Sequence, residues 1–282
     1  MRKALDKIME IAFLVLACVS IVAVVLVCYF MFSQGIPAMN KIGLGSFIMG
    51  KVWKPGNNLF GILPMIVGSL LVTAGALVIG VPVGIFMAVF MARFCPKTIY
   101  RIASPIVNLL AGIPSVIYGF FGIMVIVPFV RENIGGNGFS ILSASIILGI
   151  MILPTIISVS EAAIKAVPES YYEGALALGA TKEISVFKTI LPAAKSGIMA
   201  AVTLGVGRAI GETMAVQMVV GNQARLPDSI LDGVRTLTTN IVTEMGYATD
   251  LHRESLIATG VVLFVFILLI NLALAFIKRR RD

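Results

Sequence analysis

The chain has 282 residues, of which 59% are hydrophobic and 13% are charged, and its mean hydropathy is +1.02. A water-soluble domain of this composition would expose large apolar patches, so the composition excludes an ordinary soluble protein. The net charge of +8 does not indicate a nucleic-acid partner, because the basic residues are dispersed between apolar runs and form no single patch. We therefore predict an integral membrane protein whose main solvent is the lipid bilayer.

Six apolar runs are each long enough to cross a hydrocarbon core of ~30 Å at about 1.5 Å per residue. Of the 22 Lys and Arg residues, fourteen lie in segments that are cytoplasmic if the N-terminus is, and seven lie in the opposite segments. This bias predicts that both termini are cytoplasmic. We expect an all-α membrane protein, a six-helix transmembrane bundle with helices at residues 11–32, 62–92, 104–130, 141–159, 193–220 and 256–277.

The first apolar run follows three basic residues and has two interpretations. A cleaved signal peptide begins in this way, but an apolar length of 22 residues favours an uncleaved anchor. We therefore predict a transmembrane helix with a cytoplasmic start over residues 1–33, followed by an extracytoplasmic segment over residues 34–61. Glycines and prolines in this second segment indicate short helices or turns on the outer membrane face, with Phe47 and Trp53 at the membrane interface.

The rest of the chain divides into a transmembrane domain over residues 62–277 and a basic cytoplasmic tail over residues 278–282. The three cysteines lack metal-ligand spacing, so we predict neither a metal site nor a cofactor. His252 stands alone in a polar segment between the last two runs, and we interpret it as a solvated loop residue.

Residues 165–192, between the fourth and fifth runs, carry helix signals without enough apolar length to cross a membrane. Pro168 fits the first position of a helix that Gly179 ends, and Thr181 fits the N-cap of a second short helix. Small side chains on the first helix allow it to lie closely in a groove of another protein. The segment is interpreted either as a docking element or as an ordinary solvated hairpin.

A charged pair, Arg208 and Glu212, lies within the fifth run, where a charge costs ~2.5 to 3.5 kcal/mol at the bilayer centre. On a continuous helix their i, i+4 spacing places both side chains on one face, toward the bundle interior. The pair is interpreted either as an ion pair that fixes packing or as an anion contact on a translocation path. The second interpretation is chemically apt, because a guanidinium is a planar, permanently charged donor for oxyanions.

Other polar residues near this pair are candidates for the same path. An ionised Glu212 repels an anion that carries no proton to donate, which predicts a preference for phosphate over sulfate at neutral pH. The candidates that can add neutral hydrogen bonds are Thr213 and Gln217 in the fifth run, and Ser115 and Tyr118 beside Pro114 in the third.

The segment between the fourth and fifth runs resembles a known motif. Glu173-Gly174-Ala175, then Gly179, then Leu191-Pro192 are similar to the EAA loop of ABC importer permeases, although Gly174 replaces the first alanine and Thr189 the isoleucine. The resemblance implies a bundle of the type I ABC importer permease kind, whose coupling loop inserts into a nucleotide-binding subunit. The chain itself has no phosphate-binding loop, because the lysine that should follow Gly179 is missing. ATP hydrolysis is therefore expected of a partner, and the chain is not expected to be an enzyme.

Three further stretches, at residues 53–64, 110–119 and 208–215, resemble the PstC-type permeases of phosphate importers. That resemblance implies alternating access in the bacterial cytoplasmic membrane. It also implies three kinds of partner: a second, PstA-type permease, two copies of a PstB-type ATPase and an extracytoplasmic PstS-type phosphate-binding protein.

Three alternatives remain open from the sequence. One is a permease for another oxyanion, such as sulfate or molybdate, with Arg208 in the same role. A second is an ion-coupled secondary transporter in which Arg208 and Glu212 carry a proton, although the loop from Glu173 to Pro192 argues against it. The third is a membrane scaffold or sensor component, which explains the charged pair only as packing.

Overall fold

A computed structural model describes the backbone of residues 2–279 and the side chains of residues 6–7 and 9–276. Most of the predicted basic tail at 278–282 lies outside these residues. The helices, in chain order, are α1 (Arg2–Ile42), α2 (Leu44–Met49), α3 (Leu63–Val89), α4 (Lys97–Gly112), α5 (Ser115–Phe121), α6 (Val127–Asn133), α7 (Ile141–Lys165), α8 (Glu169–Ala177), α9 (Lys182–Ser185), α10 (Leu191–Ala193), α11 (Lys195–Gly211), α12 (Met214–Val219), α13 (Leu237–Met245) and α14 (Asp250–Arg279).

Short non-α elements complete the architecture. An antiparallel hairpin pairs β1 (Trp53–Lys54) with β2 (Leu59–Phe60). Turns of π-helix extend α3, join α5 to α6 and join α9 to α10, at Phe90–Phe94, Gly122–Ile126 and Val186–Ile190. The end of the bundle that carries the β-hairpin, α2 and α13 is called the hairpin face, and the opposite end, which carries α8 and α9, is called the loop face.

Five helical segments in the described part of the chain are long and apolar enough to cross a membrane. A sixth is obtained if Lys182–Ala193 and Lys195–Gly211, which meet at a bend of 69°, form one broken span. This upper count agrees with the six predicted spans. The five unbroken segments are Met9–Ile42, Leu63–Phe94, Ser115–Asn133, Ile141–Lys165 and Asp250–Phe276.

Three differences from the predicted helix ends matter most for the architecture. The third run, predicted as one helix over 104–130, breaks between α4 and α5, because Ile113 precedes Pro114 and adopts the extended conformation that proline imposes on its neighbour. The first helix continues to Ile42, so the predicted boundary at residue 33 falls inside it. The fifth run breaks after Gly211, with consequences for the charged pair that are described below.

The centre of the bundle is the contact between α3 and α7. A Cβ atom on Gly80 would lie 2.8 Å from the carbonyl oxygen of Gly149, and one on Gly84 would lie 2.8 Å from Cγ2 of Ile156. Glycine is therefore required at both positions for the two backbones to approach so closely. Met151 and Ile152 of α7 are almost completely buried, and close packing of this kind makes α3 and α7 one rigid pair.

The hairpin face has its own apolar core. Phe47 is 0% and Trp53 is 6% exposed, and both pack with Phe60, Ile62 and neighbouring side chains of α1 and α14. The prediction that Phe47 and Trp53 lie at the membrane interface is therefore wrong. Their rings instead fix residues 43–61 onto the bundle.

A buried polar network joins the hairpin to the chain segment around α13. Glu244 is its centre: Trp53 Nε1 donates to Glu244 Oε2 at 2.8 Å, and the Arg235 guanidinium pairs with Oε1. His252 Nε2 lies 2.8 Å from the same Oε2 atom. The interpretation of His252 as a solvated loop residue is wrong, because its side chain is only 16% exposed and packs beside Trp53.

Candidate functional site

The backbone breaks in the middle of the fifth run. Helix α11 ends at Gly211, Glu212 adopts an extended conformation with φ −71° and ψ 129°, and α12 begins at Met214. The predicted i, i+4 arrangement of Arg208 and Glu212 on one continuous helix is therefore wrong. Among the described residues no ion pair joins them.

Arg208 lies half-buried in the last turn of α11. Its Nη1 donates to Thr155 Oγ1 of α7 at 3.3 Å, a neutral partner that leaves the positive charge uncompensated within the described structure. A guanidinium inside the bundle without a carboxylate partner is suited to bind an anion, since charge-assisted hydrogen bonds are the stronger ones. Thr155 was not among the predicted site residues. The signal in the sequence was a hydroxyl side chain directly after Pro154 in an otherwise apolar helix.

Tyr118 is the second predicted residue that the fold brings to this place. Its hydroxyl group donates to the Leu110 carbonyl oxygen at 2.9 Å, across the break between α4 and α5. The hydrogen bond holds the ring in place at a point where the helix is interrupted. Tyr118 belongs to the same buried cluster as Ile156 and Ala209, which directly follow Thr155 and Arg208 in the sequence, so α5, α7 and α11 meet near this site.

Glu212 faces a different environment. Its Oε1 accepts a hydrogen bond from the Ala215 amide at 3.2 Å, and its carbonyl oxygen accepts one from Thr238 Oγ1 at 3.2 Å. It also borders a small internal cavity, whose other polar lining residues are Ser69, Thr73, Thr236 and Thr238. Hydrogen bonds to the Ala215 amide and the Thr238 hydroxyl therefore hold Glu212 at the break. The cavity that it borders is lined by several hydroxyl groups.

The remaining predicted residues are not joined to Arg208 by any hydrogen bond in the described structure. Thr213 Oγ1 donates to the Gly211 carbonyl oxygen at 3.3 Å, which satisfies a backbone group at the break. Gln217 Nε2 donates to Thr243 Oγ1 of α13 at 3.4 Å, toward the hairpin face. Ser115 is the first residue of α5.

The predicted coupling loop forms two short helices at the loop face. Gly179 has φ +87°, which favours glycine, and follows α8, while Thr181 Oγ1 accepts from the Ile184 amide at 3.3 Å and caps α9. Pro168 was predicted to be the first residue of this helix, but in the structure it is the N-cap and α8 begins one residue later, at Glu169. No residue of α8 is buried, and Leu178 after it is 92% exposed.

The other residues of the predicted docking motif share this location. Glu173 and Gly174 are exposed on α8, and Ala175 is half-buried there. Leu191 and Pro192 begin α10, just before the 69° bend that leads into α11. A projecting helix with an exposed leucine at its end is suited to fill a groove in a partner.

Comparison with known proteins decides the family. Residues 80–282 match the model of the binding-protein-dependent transport system inner membrane component. The chain belongs to this family. The matched part of the permease includes the coupling loop, α7 and the broken fifth span.

Individual relatives agree with this assignment. The permease is 39% identical over 272 residues to the probable ABC transporter permease protein YqgH of Bacillus subtilis (strain 168), covering 94% of this chain and 88% of that one. It is 36% identical over 273 residues to the phosphate transport system permease protein PstC of Mesorhizobium japonicum (strain LMG 29417 / CECT 9101 / MAFF 303099), covering 89% of this chain and 83% of that one. The sequence prediction of a PstC-like permease is confirmed by these similarities.

A solved structure supports the fold. The permease is 25% identical, with a TM-score of 0.59, to a chain of the MetNI methionine ABC transporter in inward-facing conformations, covering 79% of this chain and 94% of that one. The predicted all-α bundle of the type I ABC importer permease kind is therefore confirmed. As a family member the permease is a multi-pass membrane protein that works with an ATPase and a substrate-binding protein.

Proposed function

We propose that this permease carries inorganic phosphate across the cytoplasmic membrane as the transport subunit of an ATP-driven importer. The observation that carries the proposal is the Arg208 guanidinium, which lies half-buried in the bundle and, among the described residues, has the neutral Thr155 hydroxyl as its hydrogen-bond partner. An uncompensated charge at membrane depth is costly and is retained where it has a function. The similarity to PstC supports phosphate as the anion. The permease itself performs no catalysis, because ATP is hydrolysed by a partner.

The partners are proposed by chemical role. A PstA-type permease completes the translocation path, two PstB-type ATPases bind the α8 segments of the two permeases, and a PstS-type protein delivers phosphate. The exposed Leu178 and Glu173 of the coupling loop support ATPase docking at the loop face. The excess of Lys and Arg in the segments on that side supports a cytoplasmic loop face with both termini cytoplasmic, which places the hairpin face outside.

The mechanism follows from the hydrogen bonds that each side chain can form with the anion. When the path opens toward the hairpin face, phosphate meets Arg208, and the planar fork of the guanidinium donates to two of its oxygens. Thr155 and Tyr118 offer neutral hydroxyl groups at the same site. When the path opens to the loop face, the anion loses these contacts and is released, so the site alternates in access while Arg208 remains within the bundle.

ATP-dependent uptake of labelled phosphate tests the proposal directly. Proteoliposomes containing the permease and its genomic partner subunits are loaded with ATP, and uptake is followed with and without excess unlabelled sulfate. We expect uptake that needs ATP and resists sulfate. Competition by sulfate would indicate a permease for another oxyanion, and uptake driven by an ion gradient without ATP would indicate a secondary transporter.

Replacement of Glu212 by glutamine should weaken the preference for phosphate. A carboxylate repels fully deprotonated sulfate but accepts a hydrogen bond from the proton that phosphate retains at neutral pH. Loss of one hydrogen bond to a charged group, about 1.5 kcal/mol, corresponds to an approximately tenfold fall in the ratio of phosphate to sulfate binding. Competition assays in the same proteoliposomes measure this ratio. Glu132→Gln, at an exposed carboxylate on α6, is the matched control, and an unchanged ratio in Glu212→Gln would reject the role of Glu212.

A further inference from the structure

Arg93 lies where α3 meets the coupling loop. It belongs to the π-helical turn at the end of α3, and its side chain is only 12% exposed. Nη1 contacts Glu169 Oε2 of α8 at 2.7 Å, and Nη2 donates to the Ile164 carbonyl oxygen near the end of α7 at 3.4 Å. The guanidinium carbon also lies 5.7 Å from the centroid of the Tyr172 ring on α8. One side chain therefore connects the end of α3 to two other helices, α7 and α8.

Each of these contacts has a distinct physical basis. The carbonyl groups in the last turn of α7 lack helical partners, and a cation stabilises that end of the helix dipole. Glu169 supplies an opposite charge in the first turn of α8, and Tyr172 supplies an aromatic face for a cation. A guanidinium can make all three contacts at once because it is planar and has five donors, which a lysine ammonium cannot do.

Helix α8 has few other attachments to the membrane helices. None of its residues is buried, and Tyr172 is the α8 residue that packs against the apolar cluster at the loop face, which includes Val89 and Ile164. Within the described part of the chain, the Arg93–Glu169 pair is the salt bridge that joins α8 to a membrane helix. Helix α8 also follows α7 directly in the chain and packs against the π-helical turn Val186–Ile190. Arg93 and the Tyr172 ring connect it to the end of α3.

We propose that Arg93 transmits the movement of the coupling loop to the translocation site. Displacement of α8 by a partner pulls Glu169 and Tyr172, and Arg93 passes the displacement to the cytoplasmic end of α3. Because α3 and α7 are packed as one rigid pair, α7 moves with it, and α7 carries Thr155, the hydrogen-bond partner of Arg208. Arg93 is thus a positioning residue, and the inference rests on the proposed function as an ATP-driven importer.

The test compares ATP hydrolysis with transport in the same vesicles. Complete importers containing wild type, Arg93→Gln, Arg93→Lys or Glu169→Gln are reconstituted, and ATP hydrolysed per phosphate imported is measured. We expect basal hydrolysis to persist and the ratio to rise in Arg93→Gln by about tenfold, the effect of losing about 1.4 kcal/mol of coupling. Glu169→Gln should give a smaller rise, and Arg93→Lys should fall between wild type and Arg93→Gln.

A matched control separates this effect from general damage to the loop face. Lys165 was predicted to begin the coupling loop, but in the structure it is the last residue of α7. Lys165→Gln removes a cation that contacts Glu161 Oε1 at 2.6 Å and the Tyr100 hydroxyl oxygen at 2.9 Å, and neither contact involves α8. It should leave the ratio unchanged. An unchanged ratio in Arg93→Gln would overturn the inference, and so would loss of the ATPase from the purified Arg93→Gln complex, because Arg93 would then serve assembly alone.

A second readout does not depend on the cargo. Stimulation of ATP hydrolysis by the partner binding protein requires a signal from the hairpin face to reach the ATPase through the permease. We expect this stimulation to fall in Arg93→Gln and to persist in Lys165→Gln. Wild-type vesicles that show stimulation but import no phosphate would contradict the proposed cargo while leaving the role of Arg93 measurable, and equal stimulation in wild type and Arg93→Gln would contradict the role of Arg93.

Discussion

Arg208→Gln is expected to reduce phosphate uptake by at least about 100-fold. The substitution keeps a polar side chain but shortens it and removes both the charge and the bidentate fork, and two charge-assisted hydrogen bonds are worth about 3 kcal/mol or more. The initial rate of ATP-dependent uptake into proteoliposomes measures the effect. Basal hydrolysis by the partner ATPase should remain, because Arg208 lies in α11, away from the loop face.

Two further variants make the Arg208 result specific. Arg208→Lys keeps the charge as a compact ammonium and should retain part of the uptake, since a point charge still attracts the anion but cannot form the fork. Arg131→Gln, at an exposed arginine on α6, should behave as wild type. Normal uptake in Arg208→Gln would contradict a role for this guanidinium on the path and leave the importer family as the remaining conclusion.

The sequence was sufficient where a local rule determines the structure. Apolar runs of spanning length gave the membrane helices, and the two-helix shape of the coupling loop follows from Gly179 and from the Thr181 cap. These signals act over four residues or fewer, or depend on composition alone. They need no knowledge of which helices become neighbours.

The breaks in the third and fifth runs could not be predicted in the same way. A proline disrupts a membrane helix, but whether the helix bends or ends there depends on the groups that satisfy the freed backbone. At Pro114 the Tyr118 hydroxyl donates to the freed Leu110 carbonyl oxygen. At Glu212 no proline is present, and the break is supported by Thr213 and Thr238. The prediction that Arg208 and Glu212 share one helix face assumed a continuous helix. It is wrong because α11 ends at Gly211, before Glu212.

Partners that are distant in sequence were also missed. Thr155 lies 53 residues from Arg208, and Trp53 lies 191 residues from Glu244. Such pairs form because helix packing places them together, and a single sequence contains no periodic signal for them. A lone histidine in a polar segment is usually solvated, and His252 departs from this pattern because the β-hairpin covers it with Trp53.

The buried network of the hairpin face gives the largest expected effect on stability. Glu244→Ala leaves the Arg235 guanidinium, 14% exposed, without a carboxylate, and leaves the Trp53 indole N–H without its acceptor. Removing one partner of a buried ion pair costs about 3 to 5 kcal/mol. We expect a lower melting temperature of the purified permease and faster tryptic cleavage after Lys51 in the hairpin segment.

Two controls determine whether the charge itself causes this loss. Glu254→Ala removes an exposed carboxylate that pairs with Lys41 at 2.9 Å on the same face, and an exposed pair contributes about 1 kcal/mol or less. A double variant, Glu244→Met with Arg235→Met, removes both charges and fills the space with apolar atoms, so it should recover most of the stability that Glu244→Ala loses. If the double variant melts as low as Glu244→Ala, the hairpin is held by the specific Trp53 and His252 contacts to the carboxylate, and the unpaired Arg235 charge is not the cause.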